Sequence, residues 1–284
     1  MAYETVLIDI AGGVATLTLN RPDALNAFDM TLDREFHEAM WELEADEEVR
    51  VIVVTGAGKA FSSGLDLASG SAALSGAEAA HESELGLGAD EIPDRSAFWK
   101  MRTPVIAAIN GAAIGAALNV ALLMDIVIVA DDAKLRLPFA RIGVVPDANA
   151  TWLLPRLVGT QKALELFLTG RFFSGTEAVE LGLALKAVPK EDVLTTAQEL
   201  AREIATYAAP AAAGLTKQLV YRFMLETDRQ KAFALETKII FWLGQQPDAM
   251  EGVMALLQKR EPSFTGSKHA EPPVGSLRDD PSGS

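Results

Sequence analysis

One carboxylate stands in odd company in "RIGVVPDANATWLLPR", residues 141–156: Asp147, between Val145 and Pro146 on one side and Trp152, Leu153 and Leu154 on the other. Such an acid has two readings. It caps the helix that contains Trp152 and Leu153, or it is a proton carrier whose pKa the apolar loop raises. Two further segments offer main-chain chemistry. "GKAFSSGLDL" (58–67) places Ser63-Gly64 in a turn directly after a strand ending near Thr55, and "NGAAIGAALNVALLMD" (110–125) places Gly115-Ala116 at the start of an apolar helix. Small residues there let a ligand approach backbone N–H groups, and a helix N-terminus adds partial positive charge. Two such donors converging on one carbonyl oxygen would form an oxyanion hole for an enolate. Taken singly, each segment reads as readily as simple close packing.

Other chemistries fit less well. "GAGKAF" (56–61) lacks the glycine spacing of both the dinucleotide and the P-loop fingerprints. "AFSSG" (60–64) has Ala60 where a nucleophile elbow needs glycine. The three histidines (His37, His81 and His269) fall on a charged helix, in a variable loop and in the tail, so neither a Ser–His–Asp triad nor a metal cluster is expected. With no cysteine, thiolate metal sites, disulfides and a thiol nucleophile are excluded, and a reducing cytoplasmic setting is expected.

Positioning these groups requires a frame. "GVATLTLN" (13–20) alternates as a strand, and "RVIVVTG" (50–56), "PVIAAIN" (104–110) and "DIVIVA" (125–130) read as short buried strands. Leu32, Phe36, Met40 and Leu43 recur at helical spacing. Short parallel-looking strands separated by helices predict an α/β fold. Residues 69–94 lose periodicity and read as a loop that shapes a pocket. Gly170 is placed as a helix C-cap, and "SGTE" (174–177) as a capping box. From Pro210 to about Arg260 the pattern predicts three helices broken near Asp228 and Pro247. From Pro262 onward Pro, Gly and Ser predict a flexible tail.

Bulk properties set limits. The 284 residues suit one large domain or a domain with an appendage, and 49% hydrophobic content argues against wholesale disorder. A net charge of −14 disfavours nucleic acid and anionic membranes as general partners. No basic-then-apolar leader opens the sequence as given. Residues 104–130 are long and apolar enough to raise a membrane span, but Asn110-Gly111 and Asp125 divide them into strand, helix and strand.

Together, in this order and spacing, the segments resemble the crotonase (enoyl-CoA hydratase/isomerase) superfamily. The likeness runs from about Val6 to Arg260 and includes "LNRPDALNAF" (19–28), "TPVIAAINGAAIG" (103–115) and "LPRLVGTQKALELFLTGRFFSGTEAVELGL" (154–183). The resemblance implies a spiral of repeated ββα units over 1–205, a C-terminal α-helical oligomerisation region over 206–261, the tail over 262–284, and a homotrimer or dimer of trimers. It implies an acyl-CoA thioester as substrate, with coenzyme A entering as part of that substrate and no covalently bound cofactor or metal. Ser63 and Ala116 take the oxyanion-hole positions. Gly64, Leu65 and Asp66 fall along the CoA arm, and Ala24, Leu25 and Lys59 near the adenine and phosphates.

The departures from the family pattern narrow the chemistry. Hydratases of the family use two glutamates; this chain has Asn119 and Phe139 at those positions, and neither exchanges a proton. Asp147 occupies a position commonly held by glycine, and its context resembles the phenylacetate-pathway isomerase subgroup, in which this aspartate is the acid/base and asparagine also holds the 119 position. The expected activity is therefore a double-bond shift in an enoyl-CoA, with Asn119 bonding the substrate or Asp147. Alternatives are hydration by Asp147 alone, rearrangement of a ring-epoxide acyl-CoA, and CoA-thioester binding without turnover.

Overall fold

The computed structural model describes residues 3–66, 97–274 and 277. Residues 69–94, expected to shape the pocket, lie outside them. The frame is two sheets. One has six strands in the order β1-β2-β3-β5-β7-β10 and the other four in the order β4-β6-β8-β9. In the first, β1 (Val6–Ala11) pairs antiparallel with β2 (Val14–Leu19), and β2, β3 (Val51–Gly56), β5 (Val105–Ile109), β7 (Ile126–Ala130) and β10 (Lys186–Val188) run parallel. In the second, β4 (Ala60–Ser62), β6 (Ala112–Ile114) and β8 (Leu135–Arg136) are parallel, and β9 (Phe172–Phe173) joins antiparallel.

The repeat is visible in this order. The steps β3→β4, β5→β6 and β7→β8 each carry the chain from the large sheet to the small one, so the fold winds as a spiral. The central strands β3 and β5 are buried on both faces, which is why "VIVV" and "VIAAI" are uninterrupted apolar runs. The alternation of β2 conceals the same burial. Thr16 is covered too, its hydroxyl accepting from Gln198 Nε2 at 3.0 Å. Residues 104–130 resolve into β5, β6, a short helix and β7. No described helix is long and apolar enough to cross a membrane.

Helix α1 (Met30–Ala45) begins where the Asp29 carboxylate accepts from Leu32 N at 2.8 Å, and it buries Leu32, Phe36, Met40 and Leu43 as their spacing predicts. α2 (Ala116–Leu122) follows β6 directly. α3 (Ala150–Val158) and α4 (Thr160–Thr169) follow the turn that carries Asp147, and Gly170 closes α4 in a left-handed conformation. Ser174 caps α5 (Gly175–Leu181), its hydroxyl accepting from Glu177 N at 3.1 Å. α6 (Val193–Tyr207) packs on the large sheet, and α7 (Pro210–Phe223), α8 (Arg229–Leu243) and α9 (Pro247–Gln258) complete the described helices.

The chain beyond 262 differs from the expected flexible tail. Through residue 274 it packs back on the core. Lys268 is 3% exposed, and its Nζ donates to the carbonyls of Leu43, Asp46 and Val49 and to the Thr103 hydroxyl at 2.7–3.2 Å. Arg50 and the buried Arg102 donate to the main chain of Phe264, Lys268 and Ala270. A Pro/Gly/Ser composition satisfied by long-range side-chain donors needs no regular structure of its own to stay ordered.

Candidate active site

Strand β4 ends in a tight turn whose geometry depends on Gly64. Its φ is +91°, and a Cβ there would lie 2.4 Å from the Ile114 carbonyl oxygen, so only glycine lets the two backbones approach. The approach brings the 63–66 turn alongside Gly115 and the first residue of α2. A buried asparagine braces the other side. Asn26, itself left-handed, donates Nδ2 to the carbonyls of Ala57, Ala60 and Phe61, while its own carbonyl accepts from the Ser62 hydroxyl at 2.7 Å. Asn26 stands in the quoted "LNRPDALNAF" block, but nothing local marks it as the brace, because the carbonyls its Nδ2 serves are more than 30 residues away and its only local bonds are to Arg21.

The backbone amides sort themselves by hydrogen bonding. Ser63 N–H, the expected oxyanion donor, is already engaged with the Leu25 carbonyl at 2.9 Å, and Gly64 N–H with the Ser62 hydroxyl at 3.2 Å. The Leu65–Phe28 bridge uses the Gly64 carbonyl and the Asp66 N–H, which turns Leu65's own amide to the opposite side. Leu65 N–H and Ala116 N–H have no hydrogen-bond partner among the described residues. The open donor pair is thus Leu65 and Ala116, two residues away from the expected Ser63.

These amides border a cavity of about 230 Å³ that also receives Ser63, Gly115, Phe139 and Asp147. Phe139 belongs to a 3-10 turn (Phe139–Ile142) after β8 and lines the cavity with its ring. Asp147 is placed by backbone curvature. Ala148 and Asn149 follow it with φ of +47° and +56°, and Asn149 rather than Asp147 begins α3, with no side-chain cap bond. The helix-cap reading of Asp147 therefore does not hold. Its carboxylate instead accepts from Asn119 Nδ2 at 2.7 Å, and its carbonyl from the same nitrogen at 3.3 Å. Asn119 is 1% exposed on α2, one turn beyond Ala116.

Burial in this apolar cleft pushes the Asp147 carboxyl above its ordinary pKa, opposed by the Asn119 hydrogen bond and by its own backbone N–H. The side chain still presents accessible surface, because it opens onto the cavity rather than into a sealed core.

The remaining expected site residues lie apart from the cavity. Leu25 is linked to it only through the Ser63 bond, and Lys59 and Ala24 sit on neighbouring surface. Asp66 faces Arg21 at 3.4 Å, and Arg21 also pairs with Asp29 at 3.0 Å, so Asp66 ties the turn to the chain before α1. No group of acids and histidines suited to a metal ion occurs among the described residues.

Comparison with known proteins accords with this geometry. Residues 9–267 match the enoyl-CoA hydratase/isomerase family. A probable enoyl-CoA hydratase of Rhodobacter capsulatus is 38% identical over 94% of this chain and 100% of its own. The 1,2-epoxyphenylacetyl-CoA isomerase of Escherichia coli is 38% identical over 93% and 99%. A crystal structure of a probable enoyl-CoA hydratase/isomerase from Mycobacterium abscessus superposes with a TM-score of 0.81 at 40% identity, covering 92% of this chain and 99% of that one. The chain belongs to the enoyl-CoA hydratase/isomerase family, with the crotonase fold.

Proposed function

We propose that this protein shifts the double bond of an enoyl-CoA through an enolate, with Asp147 as the acid/base. The observation that carries the reading is the cavity itself. Asp147 is the only ionisable residue among its described lining, and it shares the cavity with the two open amides of Leu65 and Ala116. A thioester oxygen between those N–H groups makes the α-proton acidic by stabilising the charge that develops on oxygen. Asp147, poised by its raised pKa, takes that proton and returns it to another carbon of the acyl chain. One carboxylate is enough for this shift because it serves as base and then as acid. Asn119 holds the carboxylate in place and touches the reaction only through it.

Hydration by two carboxylates has no support from the residues, since Asn119 and Phe139 occupy the glutamate positions. A ring-epoxide rearrangement is the second reading, favoured by the name of the Escherichia coli relative. Coenzyme A enters as part of the substrate, its adenine end passing Ala24, Leu25 and Lys59. The assembly is a homotrimer or a dimer of trimers. That assignment is supported by α8, which buries only Ile239 while Phe233 and Phe241 are 69% and 70% exposed. A cytoplasmic setting fits the absence of cysteine.

The test is proton exchange. A 3-enoyl-CoA incubated in deuterated buffer should gain deuterium and isomerise with the native chain, and lose both with Asp147→Ala. Turnover surviving intact in Asp147→Ala would falsify the assignment. Binding of the thioester without exchange in the native chain would leave only a binding protein.

A further inference from the structure

We infer that the cavity selects acyl groups that are uncharged hydrocarbons and rejects those carrying a second carboxylate, with Ile142 and Val145 setting the selection. The inference rests on the acyl-thioester reading of the same cavity. Beyond the amides of Leu65 and Ala116, the wall around Asp147 is built from Phe139, Ile142, Val144 and Val145. Val145 is 80% exposed, and Ile142 and Val144 are exposed beside it. An apolar lip left open around a carboxylate is costly to a free protein and is relieved when a hydrocarbon covers it.

The charge distribution excludes the other kind of ligand. Among the described residues, no lysine, arginine or histidine borders the cavity. The two cations on the same wall are committed elsewhere. Arg141 donates its Nε to the Thr169 carbonyl. Arg136 donates its Nε to the Gly170 carbonyl at 2.6 Å, and its guanidinium stacks 4.6 Å from the Phe172 ring centre. A carboxylate on the acyl chain would therefore be desolvated with no counter-ion and would face Asp147, a like charge.

The test uses saturated thioesters, which bind without reacting. Dissociation constants of hexanoyl-CoA and of adipoyl-CoA, its analogue with a terminal carboxylate, are measured by calorimetry on the native chain at pH 8. Hexanoyl-CoA is expected to bind at least about tenfold more tightly. A smaller preference, or the reverse, overturns the inference while leaving the isomerase reading intact. Failure of both thioesters to bind overturns the two together. Val145→Lys, on an exposed side chain that carries no packing, should tighten adipoyl-CoA and weaken hexanoyl-CoA, narrowing the ratio at least threefold. A ratio unmoved in both Val145→Lys and Ile142→Lys removes these residues as determinants and overturns the assignment to them.

Discussion

The side-chain amide of Asn119 holds Asp147 twice, with Nδ2 2.7 Å from the carboxylate and 3.3 Å from the main-chain carbonyl of the same residue. A buried asparagine on a helix thereby fixes the one titratable side chain among the described lining of the cavity. The hydrogen bond favours the charged carboxylate while the apolar surroundings favour the neutral acid.

Removing the amide tips that balance. Asn119→Leu takes away a donor to the charged form, so the Asp147 pKa rises further. A base works only when deprotonated, so the acidic limb of the kcat/KM profile should move to higher pH. Asn119→His should restore part of the shift. A profile that falls uniformly with no movement of the limb would reduce Asn119 to packing alone.

Asp147→Asn should separate activity from stability. Isomerisation should fall by at least about 10²-fold with the loss of general acid/base catalysis. Stability should change with the opposite sign. A carboxyl with a raised folded-state pKa contributes most below its unfolded value and loses that contribution as pH rises through the folded one. At pH 8 the variant should therefore melt slightly higher than the native chain, by a few degrees at most, and the difference should vanish near pH 3.5. Thermal melts at the two pH values check this.

Gly64→Ala meets both a left-handed backbone and the Ile114 carbonyl. A cost of about 1–3 kcal/mol is expected from the backbone alone, and the turn must shift to relieve the contact. Leu65 N–H then leaves its alignment with Ala116 N–H. kcat should drop by about 10²-fold or more, whereas Ser63→Ala, which keeps the engaged amide, should stay within about threefold of native activity.

Lys268→Met should release the chain beyond 262. Its Nζ serves three carbonyls and a hydroxyl in a buried place, and losing a charged donor there costs about 2–3 kcal/mol. Limited proteolysis should cut the variant after residue 261 much faster than the native chain. Equal resistance would mean that the Arg50 and Arg102 contacts suffice alone.

Much of the frame was legible because its signals are local. The β-branched runs of β3, β5 and β7, the spacing of Leu32, Phe36, Met40 and Leu43, and the Ser174 cap all encode their own structure, although the Glu177 carboxylate pairs with Arg171 rather than closing the capping box. What failed depended on partners distant in sequence. Which amide of the 63–66 turn stays open is set by the register of Leu65 against Phe28, and no property of Ser63 reveals it. The stretch after 262 has the composition of a loose end, yet one lysine finds its acceptors more than 160 residues earlier. The apolar company of Asp147 is legible in the sequence, but the rejection of its capping role comes from two left-handed residues, Ala148 and Asn149, that no propensity announces.

Ala116 and Asn119 are three residues apart on the same short helix, so in the proposed reaction the point that would anchor the thioester and the point that would hold the proton carrier are separated by a rise of about 4.5 Å. That separation belongs to one helix and not to the meeting of two loops. Anchor and grip therefore share one element, and the distance between them is set by the helix rise. Substitution at 119 can accordingly retune or replace the proton carrier while the thioester anchor keeps its place, one route by which a single scaffold comes to host several reactions.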